Sequence, residues 1–225
     1  MKRNVFLVIG LMTVVMLGGQ VWAQMGRGMS FPKIFGDWNA TVGSGASYLM
    51  ETEGKNKPSK FDIAVVGEEK VDGQSGYWFE MNFEGGREGQ ATMKYLFIKS
   101  AADVTIKRMV MKAGDQPAME MPMEFMGSMA SGAIQKDTFN WKNKSKLIGS
   151  ETVSTPAGSF TCDHYQTNDK GETHDVWISS KVAPYGLVKT KSAKMTMTLQ
   201  KVLTGQKSKI TETPRKMDIP FGKAK

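Results

Sequence analysis

Five methionines, Met119, Met121, Met123, Met126 and Met129, are the side chains of this sequence whose type and spacing could do chemistry. Thioethers at M-x-M and M-x-x-M spacing are soft donors of the kind Cu(I) prefers. The same unbranched, polarizable side chains also make adaptable apolar contact surfaces. Neither His nor Cys lies in the run. Methionine recurs at Met81, Met93, Met109, Met111, Met195 and Met197, in segments with strand patterning, where a deformable core filler is expected. Apolar contact is therefore the favoured use. Met119, Met121, Met123, Phe125, Met126 and Met129 are expected to line or cover a site for an apolar ligand, with neither metal nor cofactor. Copper binding through the run is the alternative from another class of function, and an interaction module with a filled core is a third.

A second constellation is Cys162, Asp163, His164, His174 and Asp175. Pairing of Thr167 with Glu172 across a turn at Asn168-Asp169-Lys170-Gly171 would set His164 against Asp175 and Cys162 against Trp177. A shift of register would bring the two imidazoles nearer each other. A Cys/His/His zinc site is conceivable there, but one hairpin rarely converges three ligands on a point, so a His–Asp pair on a wet face is the expectation. Beyond this, the catalytic inventory is thin. G-x-S-x-G, H-E-x-x-H, a P-loop and G-x-G-x-x-G after a strand are all missing, so the chain reads as a non-enzyme.

Charge points the same way. The net charge of +8 comes from lysines and arginines scattered among acids, which is a solvated surface and no stripe for nucleic acid. Mild basicity does favour peripheral contact with anionic membrane or envelope polymers. The leader fits that compartment. Lys2 and Arg3 precede an apolar run from Val5 to Leu17, and Val21-Trp22-Ala23 offers a cleavage site, so residues 1–23 read as a signal peptide and the product as periplasmic or secreted. Cys162 is the single cysteine, so no disulfide forms within the chain and stability must come from a core.

The elements that must position these residues read as β-strands. Tyr77, Phe79, Met81 and Phe83 alternate with Glu80, Asn82 and Glu84, the period-2 pattern of a strand with one wet face. Further strands are expected from Ser47 to Glu53, Phe61 to Glu68, Thr92 to Lys99, Val104 to Lys112, Ser150 to Thr155, Ser159 to Thr167, Thr173 to Ser179 and Gly186 to Val202, the last bent or broken near Ser192. Asp72-Gly73, Gly85-Gly86 and Pro156-Ala157-Gly158 supply the turns. These connections are too short for crossover helices, so the sheet is an antiparallel meander. Pro122 suits the first turn of a short helix carrying Met123, Met126 and Met129 on one stripe. Residues 205–225, basic and lacking apolar periodicity until Ile219, read as a flexible tail after a domain spanning 24–204.

Glu151-Thr152-Val153-Ser154-Thr155-Pro156-Ala157-Gly158-Ser159-Phe160, then Trp177-Ile178-Ser179, then Pro184-Tyr185-Gly186-Leu187-Val188-Lys189, resembles a pattern of uncharacterised exported bacterial proteins: E-T-V-x-x-P-A-G-x-F, W-x-S and P-x-G-L-V-K. These are similar to domains allied with the LolA-like and LolB-like lipoprotein carriers. The resemblance implies a mainly β fold, a single curved antiparallel sheet or half-barrel, with the Met-rich helical or loop segment over its concave face. It implies a lipid, acyl chain or lipoprotein segment as partner, and it brings no catalytic residues. The chain lacks the lipobox cysteine of an anchored acceptor, which leaves a soluble binding protein.

Overall fold

The computed structural model describes residues 39–86, 89–99, 104–122, 141–169 and 171–217. The leader and Met123, Phe125, Met126 and Met129 lie outside the described residues. Twelve strands form one curved sheet that does not close into a barrel. They are β1 (Gly45–Thr52), β2 (Ser59–Val71), β3 (Gln74–Gly86), β4 (Gly89–Lys99), β5 (Val104–Ala113), β6 (Met119–Glu120), β7 (Ser145–Thr155), β8 (Gly158–Asp169), β9 (Glu172–Ile178), β10 (Leu187–Lys191), β11 (Met195–Leu203) and β12 (Arg215–Lys216). A 3₁₀ turn, Trp141–Lys144, leads into β7.

The spatial order is β12-β6-β5-β4-β3-β2-β1-β11-β10-β9-β8-β7, two meanders joined where β1 pairs antiparallel with β11. Each meander follows from its turns. At Asp72 and Gly73 both φ values are positive, 52° and 77°. That is the backbone a two-residue hairpin turn needs, and it closes β2 on β3 at Val71–Gln74. The long strand expected from Gly186 is broken into β10 and β11 around Ser192, as its polar Lys-Ser-Ala-Lys stretch suggests. Register shifts at Ser47/Tyr48, Val65/Gly67, Leu96/Phe97 and Leu187/Lys189 are bulges that bend the strands.

One face, here the inner face, carries the main core. Tyr48, Phe61, Ile63, Val65, Phe79, Met93, Phe97, Leu187, Met197 and Leu199 are buried there. Tyr48 stacks on Phe61 at 5.3 Å between ring centroids, and Phe79 meets Phe97 edge to face at 5.2 Å. The Tyr48 hydroxyl donates to the Leu187 carbonyl at 2.8 Å, and Phe79 lies 5.6 Å from Tyr185, so the two meanders lean on one another. Each such side chain contributes about 1.5–3 kcal/mol by burial, the stability that an exported chain with one cysteine needs.

Two expectations are corrected on the other, outer face. The first concerns the wet face of β3, for Glu80 is 0% and Asn82 8% exposed. The second is the flexible tail, because its residues 206–217 pack over β3 to β6 and supply that cover. Ile210 is buried with Trp78, Leu96, Val110 and Ala118. Ser208 Oγ and Lys209 N–H donate to the Glu80 carboxylate at 2.6 and 2.9 Å. The sheet is antiparallel as expected, save for one pairing at its edge. β12 runs parallel to β6, with Arg215 opposite Met119 and Lys216 opposite Glu120.

Candidate functional site

Met119 and Met121 are the two expected site residues that fall among the described residues. Met119 is on a strand: β6 is a two-residue segment held between β5 and β12, and the Met121 N–H donates to the Met109 carbonyl at 2.9 Å. Pro122 follows that bond, where a residue without an N–H ends the ladder.

The pairing brings Met119 into a row. Met81 on β3 stands opposite Met93 on β4, Met93 opposite Met111 on β5, and Met111 opposite Met119 on β6. Directly opposed residues of antiparallel strands hold their Cβ atoms about 4.5–5.5 Å apart, so the four side chains form a continuous thioether strip across the inner face. Met81, Met93 and Met111 are buried, as are Met109 and Met121 that flank the strip, and Met119 is half-buried. Ile63, opposite Met81 and buried, continues the strip toward β1. Tyr95 marks one border, its hydroxyl donating to Met93 Sδ at 3.8 Å. The sequence shows alternate methionines only at Met109/Met111 and Met119/Met121; only the register set by the turns aligns Met81 and Met93 with them.

The second constellation is rearranged. Thr167 pairs with His174 instead of Glu172, because Gly171, at φ +84°, turns the chain tightly enough for the ladder to run on to Asp169–Glu172. The Asn168 Oδ1 accepts from the Gly171 N–H at 3.1 Å and fastens this turn. His164 consequently faces Trp177, stacked at 4.5 Å with 17° between planes. Its Nε2 lies 2.9 Å from Asp175 Oδ1 and its Nδ1 3.2 Å from Glu151 Oε1. Trp177 Nε1–H donates to the same Glu151 oxygen at 2.5 Å. The expected His164–Asp175 contact is thus present, as a diagonal pair.

His174 is buried and, three pairing positions along the ladder, on the opposite side of the sheet from His164. The sheet backbone separates the imidazoles. Cys162 is 1% exposed, its thiol 3.4 Å from the Phe160 carbonyl, and burial pushes that thiol up to about 11. Among the described residues no group of three or more His, Cys, Asp or Glu side chains is arranged to hold a metal ion. Two clefts formed by described residues are polar and lie at strand ends. One of about 640 Å³ is lined by Asn39, Thr41, Gln74, Ser75, Tyr77 and Lys99, and one of about 800 Å³ by Glu172, Thr173, Asp175, Lys191, Ser192 and Lys194.

No family model and no curated protein matches the chain. Its sheet is similar to solved structures at low identity. One is a proposed lipoprotein from Parabacteroides distasonis ATCC 8503, at 13% identity over 75% of this chain and 99% of that one, with a TM-score of 0.38. Another is an exported protein with a YmcC-like fold from Bacteroides fragilis NCTC 9343, at 14% identity over 75% and 99%, with a TM-score of 0.37. A third is the MucA/MucB complex of Pseudomonas aeruginosa, at 10% identity over 75% of this chain and 54% of that one, with a TM-score of 0.38.

Proposed function

We propose that this chain is an envelope binding protein, not a catalyst, that holds a lipid acyl chain or the apolar segment of a lipoprotein against the methionine strip of its inner face. The row Met81–Met93–Met111–Met119 is the observation that carries the reading. Branched aliphatic side chains fix one shape, whereas thioether chains repack around ligands of varied shape. The strip ends at β6, one strand in from the sheet edge at β12, and the sheet has no closed barrel wall for a ligand to cross. The leader at residues 1–23 supports an envelope location, and the carrier-like motifs around Pro156 and Pro184 support a role of the LolA and LolB kind.

Copper is the rival use of the same sulfurs. It is disfavoured at Met93, whose sulfur already accepts a hydrogen bond from Tyr95 and sits among aromatic rings. Native mass spectrometry of the protein purified from its own envelope distinguishes the two. The expected spectrum carries one lipid-sized adduct. A copper adduct, or a bare protein that takes up no added fatty acid or phospholipid, overturns the proposal.

A further inference from the structure

Strand β7 is the edge opposite β12, and residues 146–152 along it are all exposed. In a regular edge strand, alternate side chains would turn inward. The register shift between Leu147 and Gly149 instead inserts Ile148 as a bulge, and Leu147 and Ile148 are 56% and 47% exposed side by side. Gly149 beside them adds no bulk, with open space where a Cβ would stand. The surrounding sequence from Trp141 to Thr152 holds Lys142, Lys144 and Lys146 against one acidic residue, Glu151. Two adjacent exposed aliphatic side chains within a local excess of positive charge complement one class of surface: apolar just below an anionic layer.

We propose that the β7 edge docks on an anionic lipid bilayer. Leu147 and Ile148 enter the boundary between headgroups and acyl chains, and Lys146 meets lipid phosphates. A strand from another protein is the competing occupant of any free edge. Lysine on the edge and a bulge within it are the two devices that obstruct strand addition, and β7 has both, which favours the bilayer. The proposal is independent of the inner-face reading, since β7 is at the far end of the sheet from Met119.

Co-sedimentation of the mature protein, as recovered after export, with phosphatidylcholine vesicles and with vesicles containing one-third phosphatidylglycerol tests it. The parent is expected to bind the anionic vesicles selectively and to release as salt screens Lys146. The Leu147→Ser/Ile148→Ser double variant should lose about tenfold in partitioning. Lys146→Gln should bind more weakly with a shallower salt dependence. Val42→Ser, which removes another exposed aliphatic side chain away from β7, should bind as the parent does. Equal binding to both vesicle types, a double variant that binds like the parent, or a Val42→Ser variant that loses as much would overturn the proposal. So would a parent dimer that the double variant dissolves, which would show a second copy on the edge. If the double variant fails to fold, Lys146→Gln decides alone.

Discussion

Met111 and Met119 stand opposite one another across β5 and β6, and this rung ties the methionine strip to the C-terminal segment. Glu212 accepts from Lys112 Nζ at 2.7 Å and from the Ala118 N–H at 3.0 Å, while Arg215 N–H donates to the Ala118 carbonyl at 2.8 Å. The hydrogen bond from Lys112, then that from Ala118, holds the Glu212 carboxyl below its ordinary value of 4.5. A carboxyl depressed in the folded state contributes order that is present above the ordinary value and lost as pH falls through the depressed one. Amide exchange at Glu120 and Met121 should therefore quicken relative to intrinsic rates as the solution is acidified below about pH 4.5. In Glu212→Gln it should already be fast at neutral pH and lack that dependence.

Glu80 is the buried anchor of the same segment, accepting from Ser208, Lys209 and Asn82. Glu80→Ala leaves three donors without their acceptor and should lower stability by about 1–3 kcal/mol. Ser208→Ala should cost less. The two changes together should cost less than their sum, because they break one shared bond. Urea denaturation of the four proteins measures this coupling, and additivity would place the Glu80 effect elsewhere.

Gly158 and Gly186 both hold positive φ, 123° and 73°, but their surroundings differ. A Cβ on Gly158 would meet nothing within 4 Å, so Gly158→Val should cost about 1 kcal/mol through the backbone alone. A Cβ on Gly186 would lie 2.9 Å from Ile178 Cγ2 and 3.2 Å from the Ser179 carbonyl oxygen. Gly186→Val adds overpacking to the backbone cost and should lose about 2–4 kcal/mol. Denaturation midpoints that rank the two the other way would contradict this account of the turns.

Cys162 should be inert. Its thiol is buried and raised from an ordinary 9.0 to about 11, first by desolvation and then by Asp163 and Glu151, so little thiolate forms at neutral pH. A thiol raised in the folded state adds stability that is present below pH 9 and lost as pH climbs from about 9 to about 11, where the unfolded chain ionises first. Labelling by a thiol reagent at pH 8 should follow global unfolding. Cys162→Ala should flatten the alkaline decline in that window.

Much of the sheet was legible in the sequence because its signals are local. The alternation of Tyr77, Phe79, Met81 and Phe83 and the Asp72-Gly73 turn define β3 and its hairpin, and the polar break at Ser192 separates β10 from β11. What stayed hidden depends on distant partners. Glu80 reads as solvated until Ser208, 128 residues away, is laid over it. β6 and β12 are two residues each, too short for any periodicity, and they meet through a parallel contact that no turn announces. β7 begins five residues ahead of the expected Ser150, since its bulge and exposed lysine break the alternation. Of the site, Met119 and Met121 were visible as a cluster in sequence. Met81, Met93 and Met111 join them only through register, which accumulates from every turn and bulge between β3 and β6.

The central claim is that the methionine strip holds an apolar ligand, and Met119, half-buried at the end of the strip one strand in from the edge, is the place to test it. The direct measurement is titration of a fluorescent fatty-acid probe into the parent, Met119→Leu and Met119→Trp, with anaerobic Cu(I) titration alongside. Leucine keeps volume and apolarity while removing the sulfur, and tryptophan keeps apolarity while filling the approach. The account predicts saturable one-to-one probe binding that Met119→Leu retains and Met119→Trp weakens by about tenfold or more, with no stoichiometric Cu(I) binding. Probe binding indifferent to the tryptophan, or stoichiometric Cu(I) binding by the parent that the leucine abolishes, would contradict it.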